Sequence, residues 1–519
     1  MRFHLVVDFT RACGLATIAA GTGWRAEGEI IAKNSMSDNE FCGNAAKTGT
    51  LSLACGRWQR LSPGLVIVGM AVFRVMESLL RASTRLHTLH LACLSVVGVG
   101  GNASELCHGS ATSALPHDVG HEIQAVSAPY LASYSALQNA SAVITCLLIG
   151  AWSDRHGRKP VMLLPLGGMM LACLCFAMSL LPVVSPIPGG AACLLVGAVV
   201  YGVSGKSNAF NAGVNSYITD CSTDDVRTRY FARLNGMTAL GNCVGFALLT
   251  CVTLVLSFEG VLIGVSLLAA LLCLVLLLVL KESRPPQDIP PTADDKVVGT
   301  PNRHCGGFQD IGLFLTRRRR GNQRARILLL LFSLFLNCGM TVTEVDVGLL
   351  YVTRREVGWD DTVHGAYLTT RCAVTAILML AAYPLAERCC RPSDEACILL
   401  GSGMKALALI ATGLTTNTAL LFILVVASAF DRLTVAAMHS QLTKLVAETE
   451  VGANFAIVSC LKAASTVVWN PVFTAIYVSS VSVLPGAAYF AFAVEPAFII
   501  VTTVCLKFAP SCDDEKLDT

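Results

Sequence analysis

Long apolar runs separated by short polar connections fill the chain from about residue 61 to residue 508. A helix that spans a membrane needs roughly 20 mainly apolar residues. About twelve runs reach this length, at approximately 62–82, 128–151, 161–183, 190–218, 231–256, 260–281, 326–352, 362–384, 395–413, 419–441, 453–478 and 486–508. The pattern therefore predicts an all-α integral membrane protein with about twelve transmembrane helices in two six-helix, pseudo-symmetric halves.

The composition agrees with a membrane protein. Of the 519 residues, 54% are hydrophobic and only 14% are charged, whereas a soluble globular chain carries about 25% charged residues. The 22 cysteines are scattered through the apolar runs without a recurring zinc-type pair, so we expect most of them to be buried small side chains rather than metal ligands. The full phosphate-binding pattern Gly-x-x-x-x-Gly-Lys-Ser/Thr is absent, which argues against a nucleotide-driven pump, and no cofactor or metal is expected.

Polar segments divide the chain into five parts. Residues 1–60 are expected to form a cytoplasmic extension, 61–281 the first half, 282–325 a basic linker, 326–508 the second half, and 509–519 a cytoplasmic tail. The linker is rich in proline and glycine and ends in an arginine run, which places it on the cytoplasmic side.

One long loop is expected on the opposite side of the membrane. Residues 83 to about 127 follow the first span and contain the glycosylation sequon Asn102-Ala-Ser104. A glycan is attached only on the side away from the cytoplasm, so Asn102 is the candidate glycosylation site.

A compact charged turn, Gly150-Ala-Trp-Ser-Asp154-Arg155-His156-Gly157-Arg158-Lys159-Pro160, joins the second and third spans. Positive charge on such a short loop marks the cytoplasmic side. The first glycine lets the helices approach, and the second permits a turn that a side chain would obstruct. The aspartate can accept hydrogen bonds at a neighbouring helix end, and the arginines can bind carboxylates or helix C-termini. The predicted conformational signature loop comprises Gly150, Asp154, Arg155, Gly157, Arg158 and Lys159.

The spacing of this turn resembles the signature loop between the second and third helices of the major facilitator superfamily. The run Leu442-Thr-Lys-Leu-Val-Ala-Glu-Thr-Glu-Val-Gly-Ala-Asn-Phe455 and the segment Gly358-Trp-Asp360 are similar to the proton-coupled folate transporter family, and this resemblance covers about residues 61–508. The resemblance implies a twelve-helix transporter that works by alternating access. It also implies roles in the conformational cycle for Asp154 and Arg158.

The residues tied to proton coupling in that family are not retained. The resemblance places Lys206 at the family's fourth-span aspartate and Asn235 at its fifth-span glutamate. It places Thr341 at the seventh-span histidine and His439 at the tenth-span arginine. The resemblance therefore implies a transport scaffold with different coupling residues.

Ionisable residues inside a span are costly and mark functional sites by default, although many only neutralise one another between helices. Arg74 and Glu77 share one helical face and are expected to pair. Lys206 and Arg371 come from opposite halves and are the candidates to bind an anionic substrate at the midplane. The full candidate set for substrate or coupling is Arg74, Glu77, Lys206, Asn235, Glu344, Asp346, Arg371, Asp431 and His439.

The tenth span offers a candidate proton site. Asp431, Val435 and His439 recur every four residues, so they lie on one face of a helix. A carboxylate and an imidazole on that face would form a proton-linked pair.

These observations favour a secondary-active transporter that moves a small organic solute, folate-like or another organic anion, by alternating access with coupling to a proton or another ion. Two alternatives stay open: a proton antiporter that exports amphipathic compounds, and a non-transporting membrane receptor.

No His-Glu-x-x-His or suitable Gly-x-Ser-x-Gly motif occurs, so no enzymatic activity is expected. The expected partners are an anionic solute, a coupling ion and membrane lipid, without nucleic acid. The expected location is the plasma membrane or an endolysosomal membrane, with both termini in the cytoplasm.

Overall fold

The computed structural model describes residues 49–97, 117–181, 189–255, 258–283, 322–353, 357, 359, 361–447, 450–480, 483–484 and 486–508. Within these ranges every regular element is a helix and no strand occurs. The predicted Asn102 site, the arginine run of the linker and most of the predicted extension lie outside the described residues.

The helices of the first half are α1 Gly49–Val97, α2 His117–His156, α3 Lys159–Met178, α4 Gly189–Val203, α5 Lys206–Asp220, α6 Asp224–Val255 and α7 Phe258–Val279. The helices of the second half are α8 Gln323–Thr353, α9 Asp361–Ile377, a π-helical turn Leu378–Ala382, α10 Tyr383–Cys390, α11 Asp394–Leu414, α12 Thr418–Ala429, α13 Asp431–Leu445, α14 Val451–Ser480, α15 Ala487–Phe492 and α16 Val494–Phe508.

Eleven helical stretches in the described residues are long and apolar enough to cross a membrane. They coincide with eleven of the predicted spans. The helix α6 occupies the place of the remaining predicted span, the fifth. The prediction of an all-α membrane protein is therefore confirmed.

The first two spans are longer than their apolar pattern predicts. The prediction that residues 83–127 form one loop is wrong at both ends, since α1 continues to Val97 and α2 begins at His117. Polar side chains in this part of α1 bond to their own helix, as where Thr84 Oγ1 donates to the carbonyl oxygen one turn earlier (2.7 Å). The helix α1 also starts at Gly49, inside the segment predicted as an extension.

Four spans that the sequence pattern predicts as continuous are interrupted. The fourth breaks between α4 and α5, where Gly205 (φ 77°) and Lys206 (φ 41°) are both left-handed. The tenth breaks at Phe430 and the twelfth at Ala493. In the eighth, Pro384 cannot donate to the helical hydrogen-bond ladder and its ring disturbs the preceding turn, which is the π-helical one.

The two halves meet along a small set of helices. The helix α2 packs against α14, α6 packs against α9 and α13, and α5 also packs against α14. The main apolar core runs through the first half and across this interface, and a second core lies within the second half. The interface between the halves therefore brings side chains from both halves into contact.

Candidate functional site

The signature loop binds the start of a helix from the other half. Asp154 Oδ1 accepts a hydrogen bond from the Gly452 N–H (3.0 Å), and Oδ2 accepts one from the Ala453 N–H (2.9 Å). These are the second and third residues of α14, whose N–H groups have no acceptor within their own helix. Asp154 therefore caps α14 with the negative charge that a helix N-terminus favours. We call these two bonds the first latch.

The first latch requires glycine at position 452. A Cβ atom there would lie 2.4 Å from Asp154 Oδ1 and 2.4 Å from Arg158 Nη1. Both distances are far below van der Waals contact, so a side chain would force the carboxylate away from α14.

Arg158 holds the signature loop against its own half. Its side chain is fully buried, and it donates from Nη1 to Asp154 Oδ1 (2.7 Å) and from Nε to Asp220 Oδ2 (2.9 Å). Burial disfavours the charged guanidinium, but the carboxylates of Asp220 and Asp154 outweigh this effect and raise the pKa of Arg158. The guanidinium therefore stays charged in any ordinary buffer.

The other loop residues close the turn. Gly157 adopts φ 99°, and a Cβ at this position would lie 2.5 Å from the Glu282 carboxyl carbon. Glu282 accepts hydrogen bonds from the N–H groups of Arg158 (2.7 Å) and Lys159 (3.1 Å). The Lys159 ammonium donates to two carbonyl oxygens at the C-terminal end of α7 (2.6 and 3.0 Å), which is the end that favours a cation. The remaining predicted loop residues, Gly150 and Arg155, lie in the last turns of α2.

A second set of cross-half bonds lies at the same end of the helix bundle. Arg229 Nε donates to Glu387 Oε2 (2.6 Å), and Thr228 Oγ1 donates to Asp394 Oδ1 (2.6 Å). Asp394 also accepts from Lys444 Nζ (2.7 Å). Glu387 and Asp394 flank the turn between α10 and α11, which corresponds in the second half to the signature loop in the first. We call this set the second latch.

Basic side chains gather farther along the interface, away from the latches. Arg74 pairs with Glu77 (2.6 Å) as its spacing predicts, and Arg81 approaches the same carboxylate (3.4 Å). Lys206 Nζ, by contrast, donates within the described residues only to amide oxygens, those of Asn139 (2.7 Å) and Gln138 (3.4 Å). A lysine that is buried beside amides has no carboxylate in direct contact to balance its positive charge.

A second lysine, which the sequence analysis missed, faces Lys206 from the other half. Lys462 lies on α14 one turn beyond Ser459, whose Oγ donates to the Asn208 carbonyl oxygen (3.0 Å) and so joins α14 to α5. The two lysines are close enough to interact electrostatically. Within the described residues, neither lysine has a carboxylate oxygen within 4.0 Å of its nitrogen. We call Arg74, Arg81, Lys206, Arg432 and Lys462 the basic cluster.

Lys206 is held in a strained backbone conformation. It begins α5 with φ 41°, directly after the left-handed Gly205, and its side chain is buried. A left-handed residue that is not glycine costs about 1–3 kcal/mol, and such strain collects at functional sites. The break also leaves the N-terminus of a half-helix inside the fourth span, beside the basic cluster.

The other candidate residues have partners of their own. Arg371, predicted to bind substrate with Lys206, forms an ion pair with Glu344 (3.0 Å), so its charge is already balanced. Asp346 accepts a hydrogen bond from Asn470 (2.8 Å). Asn235 donates to the backbone carbonyl oxygen of Arg432 (3.2 Å), which makes it a polar bridge between the halves.

The predicted Asp431–His439 pair does not form in this structure. The His439 ring packs edge-on against Phe231 and Phe455, with 5.8 Å between ring centroids in each case. Asp431 instead accepts a hydrogen bond from Asn337 (2.7 Å). Residues eight apart on one helical face are about two turns apart, so they meet different neighbours.

Asp431 belongs to a buried cluster whose central lysine the sequence analysis missed. Lys405 Nζ lies 3.0 Å from Asp431 Oδ1 and 2.9 Å from Glu495 Oε2. Asn337 donates to both carboxylates, at 2.7 and 3.0 Å. Lys405 stands alone as a charge in an apolar run, and that was the signal by which it could have been found. We call Lys405, Asp431 and Glu495 the carboxylate–lysine cluster.

The chain is similar to a known protein family and to a curated relative. Residues 97–353 match the family model described as the Major Facilitator Superfamily. Over 115 residues the chain is 32% identical to the tetracycline resistance protein, class H, of Pasteurella multocida, a match that covers 22% of this chain and 25% of that protein. The chain therefore spans about a quarter of the length of this curated relative.

Solved structures are similar to this chain over most of its length. The human organic anion transporter MFSD10 (TETRAN) is 17% identical, with 86% of this chain and 99% of that chain covered and a TM-score of 0.62. The proton:xylose symporter XylE bound to 6-bromo-6-deoxy-D-glucose is 12% identical, with 88% and 96% covered and a TM-score of 0.63. The E. coli fucose:proton symporter FucP is 13% identical, with 85% and 97% covered and a TM-score of 0.57. At these identities the likeness shows the fold.

Proposed function

We infer that the chain belongs to the major facilitator superfamily, and we propose that it is a secondary transporter that carries a small organic anion by alternating access. The observation that carries this proposal is the basic cluster. The cluster places five arginine and lysine side chains at the interface of the halves. In the described residues, the acid in direct contact with the cluster is Glu77, which pairs with Arg74 and Arg81. An anionic solute would supply the missing negative charge.

The two carboxylate-free lysines are the proposed anion site. A buried ammonium without a carboxylate is costly, and both Lys206 and Lys462 are in this position. They belong to opposite halves, so an anion bound between them would touch both halves at once. Such a ligand draws the halves together around itself, as rocking about a central site requires. Lys462 therefore replaces Arg371 as the proposed partner of Lys206.

The test is uptake into proteoliposomes that contain the purified protein. Labelled folate and 2-oxoglutarate are the anionic probes, and xylose is the uncharged one. We expect saturable uptake of at least one anion and none of xylose. Lys206→Gln and Lys462→Gln should each raise KM for the anion about 10-fold or more, because each removes a charge-assisted contact of about 1.5–3 kcal/mol.

Lys507→Gln is the matched control, since it removes a lysine at the exposed end of α16. It should leave KM unchanged. If the protein takes up xylose but neither of the two anions, the anion proposal is contradicted. Anion uptake with wild-type KM in both Lys206→Gln and Lys462→Gln would remove these lysines from the site.

A proton antiporter that exports amphipathic compounds is the second candidate. The 32% identity to a tetracycline resistance protein over 115 residues supports it. The direction of flux separates the two functions under an imposed pH gradient. Accumulation of anion on the alkaline side supports anion–proton symport, whereas gradient-driven movement of tetracycline toward the acidic side supports the antiporter.

The orientation is also a proposal. The basic signature loop favours the cytoplasm for the end that carries both latches. Cys93, near the far end of α1, is disulfide-bonded, and disulfides persist on the extracellular or lumenal side. We therefore place both termini in the cytoplasm and the protein in the plasma membrane or an endolysosomal membrane. Protease protection of epitope tags at the two termini tests this topology.

A further inference from the structure

The carboxylate–lysine cluster holds two acids against one base in a site closed to solvent. Lys405 comes from α11, Asp431 from α13 and Glu495 from α16, and each side chain is 4% exposed or less. With both acids ionised, the cluster carries one net negative charge. An uncompensated charge in such a place is expensive, so the cluster requires one further positive charge.

In the part of the chain that the structure describes, no cation other than Lys405 forms an ion pair with either acid. Glu344 and Arg371 form an ion pair of their own (3.0 Å) and contribute no net charge. Arg432 follows Asp431 in sequence and interacts with it electrostatically, but no carboxylate oxygen in the described residues lies within 4.0 Å of its side-chain nitrogens. The other groups that face the acids are neutral, namely Asn337, Thr341 and Cys338.

A proton fits the site better than a metal cation. The Lys405 ammonium already occupies the position between the two carboxylates, 3.0 and 2.9 Å from their oxygens, where a sodium ion would have to bind. A proton needs no such space, because it forms a covalent bond with one carboxylate oxygen.

Glu495 is the better acceptor for this proton. Asp431 receives hydrogen bonds from Asn337 (2.7 Å) and Thr341 (3.3 Å) besides its contact with Lys405. Glu495 receives only one hydrogen bond in the described residues, from Asn337 (3.0 Å), besides its own contact with Lys405 (2.9 Å). The ionised form of Asp431 is thus the better stabilised of the two.

We propose that the carboxylate–lysine cluster is the coupling site of the transport described above, and that it carries one proton, held on Glu495. The inference rests on the proposed transport function. Proton binding forms an O–H bond at Glu495 and makes the cluster neutral. Release of the proton to the other side of the membrane breaks that bond and restores the second ion pair of Lys405. Each cycle thus moves one proton and changes how firmly α11, α13 and α16 are joined.

The first test reads the proton directly and needs no substrate. Infrared spectra of the purified protein, titrated from acidic to alkaline pH, should show the C=O stretch of a protonated carboxylic acid near neutral pH. Glu495→Gln should remove this band. Asp431→Asn should remove it as well, since one acid against one lysine leaves no charge for a proton to balance. Asp346→Asn, an acid outside the cluster, should keep the band.

The second test asks whether the proton is coupled to transport. In proteoliposomes, Glu495→Gln should lose uptake of labelled folate or 2-oxoglutarate driven by a pH gradient, while exchange of the same probe across the membrane without a gradient continues. A merely structural role would reduce both activities together. A thermal melt of each variant checks that it is folded.

The outcomes separate this inference from the proposed function. A band that persists in both Glu495→Gln and Asp431→Asn overturns the proton site, whatever is transported. Loss of the band with intact gradient-driven uptake in Glu495→Gln overturns the coupling role. If the wild-type protein moves neither anion, the transport proposal fails, while the infrared result still decides whether the cluster holds a proton.

Discussion

Replacing Gly452 by alanine should open the first latch without replacing any charged residue. The new Cβ would lie 2.4 Å from Asp154 Oδ1, so the carboxylate must move away from the start of α14. Two hydrogen bonds, 3.0 and 2.9 Å long, depend on that carboxylate. A hydrogen bond to a charged group contributes about 1.5–3 kcal/mol, so the loss of one of them costs about 2 kcal/mol. This corresponds to a shift of about 30-fold toward the open state at this end.

Hydrogen–deuterium exchange measures the shift at the atoms concerned. The Gly452→Ala variant should exchange the first amides of α14 about 30-fold faster, because these amides are released when the latch opens. Gly403→Ala is the matched control, since it makes the same change inside α11 where no atom lies within 4 Å of the new Cβ. It corrects for the gain in helix propensity of up to about 1 kcal/mol. Wild-type exchange at the start of α14 in Gly452→Ala would refute the role of this latch.

Three further predictions concern named contacts. Arg229→Gln and Glu387→Gln should destabilise the second latch non-additively, with a coupling of about 1 kcal/mol in a double-mutant thermal analysis; additive effects would contradict their 2.6 Å pair. Arg158→Lys should lower thermal stability by about 2–3 kcal/mol, because an ammonium cannot reproduce the directed hydrogen bonds of the planar guanidinium, and an unchanged melting temperature would contradict this. His439→Gln should leave the pH profile of uptake unchanged, since this ring packs between two aromatic rings outside the carboxylate–lysine cluster; a displaced profile would return it to the coupling site.

The sequence predicted the membrane fold well because hydrophobic length is a strong signal. It failed at the ends of the first two spans, where polar residues such as Thr84 bond to their own helix and look like loop residues in a pattern of apolar positions. It also missed the interruptions of four spans. The break before Lys206 depends on two consecutive left-handed residues, and a single glycine in an apolar run does not reveal this.

The candidate site was predicted in part. Helical spacing was sufficient for Arg74 and Glu77, which are neighbours on one helix and do pair. It was insufficient for Arg371 and Asp431, because their partners Glu344 and Lys405 come from other helices and depend on how the helices are rotated. A single sequence contains no direct record of that rotation.

Two helices, α11 and α13, connect the carboxylate–lysine cluster to the Asp394–Lys444 contact of the second latch. Lys405 lies eleven residues after Asp394 on α11, and Lys444 lies thirteen residues after Asp431 on α13, so about 15–20 Å of helix separates the two sites at about 1.5 Å per residue. A rigid helix transmits a change at one end to the other. If protonation weakens the hold of Lys405 on α13 and α16, the Asp394–Lys444 contact (2.7 Å) should loosen with it. Glu495→Gln, which resembles the protonated state, should therefore raise hydrogen–deuterium exchange at the start of α11 more than at the start of α14. Equal changes at both latches would mean that the cluster acts on the whole protein and not through these two helices.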